Sequence, residues 1–294
     1  MLDLLEAVER HPALMGRLAL KGGTALNLFH GEPRRLSVDL DFNLVGAVAR
    51  AEMIEVRPII ERAIESVGAG LRYATQTSGR AHAGRTWYLN YYNNTGRADR
   101  IELDVTYLNR IPLHGLARAA PWSPDGVERP PITICSALEL VAGKVRALLD
   151  RVAARDVFDT SWSLALIPPN ETRLFKRLFV LFSGTLDHPL THYSLDRLET
   201  LTQRDIDTRL VPMLFGHPSL DRDKLIGQCR SAVEPLLNLD EAEREFVVKL
   251  NKGVYQPSIL IAEWPEHAQR LSEHPALLWK AENARHRSGG RSQP

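Results

Sequence analysis

The chain has 294 residues, with 37 basic and 36 acidic side chains, so its net charge is only +1. This balance neither requires nor excludes a polyanionic partner, and 44% apolar and 25% charged residues are typical of a globular protein. The two cysteines, far apart, argue against a disulfide framework or a zinc knuckle and fit a reducing compartment. The N-terminus lacks the pattern of a signal peptide and no apolar run approaches a membrane span, so we expect a soluble, cytoplasmic protein.

In chain order, the apolar spacing of the first hundred residues alternates between the periods of helices and strands. A Gly-Gly turn follows the first predicted helix, and Pro58 lies inside the third helix, where a proline favours a kink. The predicted elements are a helix over 1–18, a short helix over 25–29, a strand over 36–45, a helix over 51–67, and strands over 71–77, 85–92 and 100–108.

The segment 121–131, with four prolines and one glycine, is the best candidate for a linker. Beyond it the spacing is mostly helical, with a long helical pattern over 136–163 that is broken once at most. Asp240, followed three residues later by Glu243, is typical of a capping box. The sequence therefore predicts an α+β protein: an α/β lobe with a mixed sheet over residues 1–125, a helical lobe over 130–285, and a disordered tail over 286–294.

The alternating strand over 36–45 places Asp39 and Asp41 on one polar face, roughly 6–7 Å apart at the backbone. Two such carboxylates can converge on divalent cations, and Mg²⁺ needs only one or two of them besides substrate phosphates. Asp104, on the polar face of the strand over 100–108, supplies a third carboxylate, and Glu102 on the same face is the alternative. Taken alone, a D-x-D pattern is better explained by a solvated polar face, although aspartate is depleted in strands.

The turn at Gly22, Gly23 and Thr24 offers backbone N–H groups and a hydroxyl at the start of a helix, which is a suitable site for a phosphate. The structural alternative is an ordinary turn in which Thr24 caps the helix. Lys21, immediately before the turn, either adds positive charge near a triphosphate or lies on the surface.

Together these residues resemble a known family. The string KGGTALNLFHGEPRRLSVDLDFNLV over 21–45 is similar to the AbiEii/AbiGii toxin family, which includes the MenT-like nucleotidyltransferase toxins and has the DNA polymerase β-like nucleotidyltransferase fold. In that family an arginine separates the glycine turn from the D-x-D strand, and here Arg34 or Arg35 takes its place. The gap between Thr24 and Asp39 is longer than in most enzymes of this fold.

A second motif follows at 144–159. From spacing alone, it is an amphipathic helix whose positions 144, 148, 152, 155 and 159 share one face, with surface charges in ordinary pairs. The family resemblance matches Lys144 and then the R-D-x-x-D pattern of Arg155, Asp156 and Asp159. It implies that the helical lobe contributes Lys144 and Asp159 to the active-site cleft. Lys144 would contact nucleotide phosphates and offset their developing charge, and Asp159 would be a polar site residue that helps to activate the acceptor hydroxyl.

Residues 72–118 combine positive charge with aromatic side chains. Against three acidic residues they hold seven arginines, and among these lie Tyr73, Trp87, Tyr88, Tyr91 and Tyr92. Arginines bind phosphates and aromatic rings stack on unpaired bases, so this region is a candidate surface for an RNA end. The alternative is that the aromatic residues belong to the core. The arginines are Arg72, Arg80, Arg85, Arg97, Arg100, Arg110 and Arg118.

The resemblance implies an enzyme that binds a nucleoside triphosphate with Mg²⁺, or alternatively Mn²⁺. It would transfer the nucleoside monophosphate to a hydroxyl at the 3′ end of tRNA and block translation, as a toxin that a cognate antitoxin neutralises. The metal ligands would be Asp39, Asp41 and Asp104, and the nucleotide would contact Lys21, Gly22, Gly23, Thr24 and Lys144. Two alternatives remain: a protein or small molecule as acceptor, or a catalytically silent binding protein of the same fold.

Overall fold

A computed structural model of the chain describes residues 1–79, 81–124 and 126–289. The chain divides into two compact units, Met1–Ser136 and Ala137–Pro294. The boundary follows the last strand of the first unit, and the segment 121–131 connects two neighbouring strands inside that unit. The predicted combination of a mixed sheet with many helices is confirmed.

The first unit is built on a seven-stranded sheet in the order β3-β4-β5-β2-β1-β7-β6. The pairs β2–β5 and β1–β7 are parallel and the other neighbours are antiparallel. Its strands are β1 (Leu18–Lys21), β2 (Leu40–Leu44), β3 (Ala74–Thr77), β4 (Gly84–Tyr92), β5 (Ala98–Thr106), β6 (Leu116–Ala119) and β7 (Ile132–Cys135), and its helices are α1 (Leu2–Arg10), α2 (Gly22–Phe29) and α3 (Arg50–Gly70).

Alternating burial shows that one face of β5 packs against the core. On β5, Ile101, Leu103 and Val105 are all at most 3% exposed, while the residues between them are partly exposed. Burial of each such aliphatic side chain contributes about 1.5–3 kcal/mol. The helix predicted around Pro58 is confirmed as α3, which covers and extends the predicted range.

Two predicted boundaries in this unit are wrong. The helix predicted over 1–18 ends at Arg10, because His11 precedes a proline and adopts an extended backbone with ψ 123°. The strand predicted over 36–45 begins only at Leu40, since β1 is four residues long and its ladder with β2 ends where Lys21 pairs with Asp41. Leu36 and Val38, expected on the buried face, are therefore 52% and 53% exposed.

The second unit is helical. Its helices are α4 (Ala137–Arg151), α5 (Ala154–Ser163), α6 (Thr172–Ser183), α7 (Gln203–Arg209), α8 (Arg222–Leu237), α9 (Glu241–Asn251), α10 (Ser258–Ile261), α11 (Pro265–Leu271) and α12 (Pro275–Gly289). The pattern over 136–163 forms two helices, with a break at Val152, whose φ of 49° is left-handed. The predicted capping box of Asp240 and Glu243 is confirmed at the start of α9.

The last helix reaches Gly289, so the first four residues of the segment predicted to be a disordered tail are helical. The remainder of that segment, residues 290–294, lies outside the described residues. Among the helices that the structure describes, none combines the length and the apolar character needed to cross a membrane.

Candidate active site

One row of register partners crosses four neighbouring strands of the sheet. Lys21 on β1 pairs with Asp41 on β2, Asp41 pairs with Asp104 on β5, and Asp104 pairs with Thr86 on β4. Neighbouring strands lie about 4.8 Å apart, and directly paired residues project from the same face of a sheet. The two aspartates predicted on separate strands are therefore direct neighbours, with a lysine on one side and a threonine on the other.

The turn between β1 and α2 lies against the Asp41 carboxylate. Gly22 has a left-handed backbone with φ 74°, and a Cβ atom at this position would collide with Asp41 Oδ2. Glycine is therefore required here both for its conformation and for the close approach. Because α2 begins at Gly22, the positive end of the helix dipole lies beside this carboxylate and stabilises its negative charge.

Thr24 has a structural contact. Its side chain is fully buried, and its Oγ1 donates a hydrogen bond to the main-chain oxygen of Asp39 at 2.5 Å. The helix cap is Lys21, so the alternative in which Thr24 caps α2 is wrong, since the helix already begins at the first glycine. This hydrogen bond holds the chain just before β2 against α2 and so sets the position of Asp39.

A second contact fixes the same segment. In α2 the buried Asn27 donates from Nδ2 to the Gly23 oxygen at 3.0 Å, and its Oδ1 accepts from the Arg35 backbone N–H at 3.3 Å. Arg35 is itself only 2% exposed, whereas Arg34 is exposed. Sequence reasoning did not single out Asn27, although an amide inside a short apolar helix was the available signal.

Asp104 lies where negative charge accumulates. Burial raises its pKa, and the nearby carboxylates of Glu102 and Asp39 raise it further, against the lowering effects of a hydrogen bond from Thr86 Oγ1 and of the Lys21 charge. Lys21 Nζ also donates to Thr106 Oγ1 at 3.1 Å, on the same strand as Asp104. Thr86 was missed by sequence reasoning, because only the β4–β5 register brings it to the site.

These carboxylates bear on the predicted metal site. In the part of the chain that the structure describes, no three His, Cys, Asp or Glu side chains are arranged so that they are able to hold a metal ion. The Asp41–Asp104 pair still matches what Mg²⁺ takes from a protein, since one or two carboxylates suffice when phosphates complete the shell. Glu102, the alternative ligand, forms an ion pair with Arg100, in which Oε1 lies 2.8 Å from Nη2.

The second unit contains a buried network of charges. Lys144 Nζ lies 2.7 Å from Asp159 Oδ2 and 3.6 Å from Asp156 Oδ1. Asp156 also accepts from Arg151 Nε at 2.6 Å and Nη2 at 3.1 Å. The side chains of both aspartates are fully buried and that of Lys144 is only 8% exposed.

The break between α4 and α5 therefore brings the predicted residues Lys144 and Asp159 into direct contact, where a continuous helix would have separated them. With no exposed surface, the Asp159 carboxylate binds the lysine and not the solvent. The role predicted for Asp159 at an acceptor hydroxyl stays a prediction, and in this structure its side chain is fully buried.

The arginines and aromatic residues of 72–118 fall into two groups. Arg85 binds Glu61 at 2.5 Å and lies over the fully buried Trp87, so these residues are structural. In contrast, Arg100 lies 5.1 Å from the Tyr88 ring centroid, and Tyr92 is 80% exposed. Arg80 lies outside the described residues.

Comparison with known proteins identifies the family of the chain. The sequence profile of the family described as "Nucleotidyl transferase AbiEii toxin, Type IV TA system" matches residues 3–246. No curated protein sequence matches the chain significantly.

Two solved structures are similar. MenT4, a nucleotidyltransferase toxin from Mycobacterium tuberculosis H37Rv, matches over 92% of this chain and 89% of its own, with 21% identity and a TM-score of 0.62, which shows a shared fold. An antigenic nucleotidyltransferase-like protein from Paracoccidioides brasiliensis matches over 60% of this chain and 84% of its own, with 16% identity and a TM-score of 0.39, too low to support an argument. Because the family profile covers well over half of the chain, the protein belongs to the AbiEii family of nucleotidyltransferase toxins of type IV toxin–antitoxin systems.

Proposed function

We propose that the protein transfers a nucleoside monophosphate from a nucleoside triphosphate to the hydroxyl at the 3′ end of tRNA, in a reaction that requires Mg²⁺. The observation that carries this proposal is the direct pairing of Asp41 with Asp104, beside Lys21 and the start of α2. Membership of the AbiEii family supports a nucleoside triphosphate as substrate, a divalent metal ion and an antitoxin as partner. The tRNA acceptor rests on the family resemblance of the two sequence motifs.

The residues of the first unit have separate roles in this proposal. Asp41 and Asp104, assisted by Asp39, would hold the cation, which when bound offsets the charge on the phosphates and lowers the pKa of the attacking hydroxyl. The backbone N–H groups of Gly22 and Gly23 would donate to phosphate oxygens at the positive end of α2. The ammonium of Lys21, anchored on Thr106, would offset charge on the leaving pyrophosphate.

In the second unit, we assign charge stabilisation on the nucleotide phosphates to Lys144. Its two carboxylate contacts, at 2.7 and 3.6 Å, hold the ammonium in one position, which favours a preorganised charge over a mobile one. Asp159 is then a positioning residue that acts through Lys144, and Asp156 supports the same ammonium while it binds Arg151.

The biological setting is part of the same proposal. Nucleotide addition to the 3′ end of tRNA would block aminoacylation and so stop translation in the cytoplasm, and a cognate antitoxin would neutralise this activity. Mn²⁺ is the alternative to Mg²⁺, because it accepts the same oxygen ligands.

The test is transfer from labelled nucleoside triphosphates to total tRNA with Mg²⁺, for the wild type, Asp41→Asn and Asp99→Asn. Asp99 is a matched control, since it is an exposed aspartate near the start of β5 and lies away from the register row. Labelling by the wild type and Asp99→Asn, but not by Asp41→Asn or in the presence of EDTA, is the expected result.

Two other results would favour the alternatives. If the wild type binds nucleotide with Mg²⁺ but labels no tRNA, the acceptor is wrong and a protein or small molecule takes its place. If nucleotide binding is itself absent, the chain is a catalytically silent binding protein of this fold.

A further inference from the structure

A cleft of about 450 Å³ opens in the second unit where α4 passes into α5. Its near wall is the break between these helices, and its far wall is formed by Thr200, Leu201 and residues of and after α7. The ionisable residues that line it are Arg151, Arg155, Asp205 and Arg209. Neither the family motifs nor the proposed nucleotide site assigns it a ligand.

Positive charge dominates this cleft. Three arginines and one aspartate line it. Arg151 is paired with Asp156, and Asp205 accepts from the Thr202 backbone N–H at 3.1 Å and from its hydroxyl at 2.6 Å, which caps α7. Arg209 contacts Asp205 at 3.4 Å but remains 77% exposed, so most of its donors are open to a ligand. A cleft with this excess of charge attracts anions.

The start of α5 adds backbone donors to the same wall. This helix has ten residues, and its N-cap is Ala153, whose side chain is unable to cap the first turn. Ala153 and Ala154 both line the cleft. The positive end of the helix dipole and the arginines thus favour the same kind of ligand, one that carries phosphate groups.

Both walls are held in place. Arg151 binds the buried Asp156 through two N–H groups, and on the far side Arg222 Nε donates to the Leu201 oxygen at 2.6 Å. The Arg222 backbone N–H also donates to Gln203 Oε1 at 3.1 Å, so a second hydrogen bond holds Arg222 in place. A cleft that is ordered before binding loses less conformational entropy when a ligand enters.

We propose that this cleft binds backbone phosphates of the RNA acceptor, an inference that rests on the proposed function. An extended polyanion suits the arrangement better than a compact triphosphate, because the charge runs from the half-buried Arg155 to the exposed Arg209 at the rim. Phe215, two residues after the lining residue Met213, is 57% exposed and offers a face on which a base can stack. Arg151 also shares Asp156 with Lys144, so an RNA strand in the cleft lies next to the charge network of the proposed site.

The test uses Arg155→Gln, Arg209→Gln and the double variant, each in the full chain with Asp41→Asn to prevent turnover. Arg151 is left intact, since its loss would remove two hydrogen bonds from the buried Asp156 carboxylate. The control is Arg173→Gln, because Arg173 is also an exposed arginine of the second unit, 64% exposed and paired with one carboxylate, that of Glu263. The affinity for tRNA is measured over a series of salt concentrations, with melting temperatures to verify folding.

We expect the double variant to bind tRNA at least several-fold more weakly at low salt. Its slope of log affinity against log salt should fall by about 0.7–0.9 for each phosphate contact that is lost. Arg173→Gln should match the parent in both quantities. A further variant, Phe215→Ala, should weaken binding without changing the slope, because a stacking contact releases no counterions.

Three results would overturn this inference. If the Asp41→Asn parent binds tRNA and the wild type labels it, while the double variant keeps the affinity and slope of the parent, the cleft is not an RNA site, although the proposed function stands. If the double variant, with Asp41 restored, raises only the KM for the nucleotide, the cleft takes the triphosphate. If the parent does not bind tRNA and the wild type does not label it, the acceptor in the proposed function fails first and the cleft assignment fails with it.

Discussion

Replacing Lys144 by methionine removes an ammonium from between two fully buried carboxylates. Asp156 keeps its bidentate contact with Arg151, but Asp159 loses the lysine at 2.7 Å. Removing one partner of a buried ion pair costs about 3–5 kcal/mol, because the attraction that offset the desolvation of the remaining charge is lost. The side chains of Lys144 and Asp159 are only 8% and 0% exposed, so solvent screens their attraction little. We therefore expect Lys144→Met to lower the free energy of unfolding by about 3–5 kcal/mol.

The matched control is the double variant Lys144→Met with Asp159→Leu, which removes both charges and leaves Asp156 with its arginine. Replacing a buried ion pair by apolar side chains of similar size is often neutral or stabilising. We expect the double variant to recover most of the lost stability. The assay is urea unfolding followed by far-UV circular dichroism, in which 3–5 kcal/mol moves the midpoint by roughly 1–2.5 M for a slope of about 2–3 kcal/mol/M.

The same pair of variants separates stability from catalysis. If Lys144 stabilises charge on the nucleotide phosphates, the stable double variant should still lose about 10²-fold or more in kcat, as expected when one preorganised charge is removed. A single variant within about 1 kcal/mol of the wild type, or a double variant no more stable than the single one, would refute the electrostatic reasoning. Normal turnover by the double variant would refute the role of Lys144 while leaving the energetics intact.

Three further predictions concern the sheet and the helix caps. Gly22→Ala should destabilise the protein by about 1–2 kcal/mol, because the backbone at this position is left-handed. Its methyl group would also collide with the Asp41 carboxylate, so the variant should lose most of its activity. Melting curves and transfer assays measure these two effects. Because the pKa of Asp104 is raised, the loss of activity with decreasing pH should begin at a higher pH than an ordinary aspartate would give. Thr86→Val removes a hydrogen bond that lowers this pKa, so the acidic limb of the pH–rate profile should move to higher pH. Asp240→Ala should cost about 1 kcal/mol of unfolding free energy, because it removes the N-cap of α9, and urea titration measures the loss.

Each of these predictions has its own control or contradicting result. Gly46→Ala has a similar left-handed φ of 88° but meets no atom within 4 Å, so it should show the backbone cost without the loss of activity. Equal activity of the two alanine variants would contradict the close approach at Gly22. An unchanged or lowered acidic limb in Thr86→Val would argue that Asp104 does not titrate in the active enzyme. An Asp240→Asn variant, which still caps a helix, should stay near the wild type.

Local patterns in the sequence were enough to predict several parts of the fold. The alternation over 100–108 predicted β5, and the Asp240–Glu243 spacing predicted the start of α9. Such features depend on residues two to four positions apart, whose contacts are made within a single strand or helical turn. The extent of the strand before Asp41 was not predictable in this way, because an apolar residue at an alternating position is buried only where a neighbouring strand pairs with it.

The residue types of the candidate site were predictable from the sequence by itself. The Gly-Gly-Thr turn, the Asp39–Asp41 pair and the spacing from Lys144 to Asp159 needed only the order of residues, and they carry the family resemblance. Only the tertiary structure decided which of these side chains meet. Asp41 lies beside Asp104 because β2 and β5 pair in parallel, and Lys144 binds Asp159 because the chain turns at Val152. Contacts of this kind depend on strand pairing and on helix breaks, which the whole fold selects and no local pattern encodes.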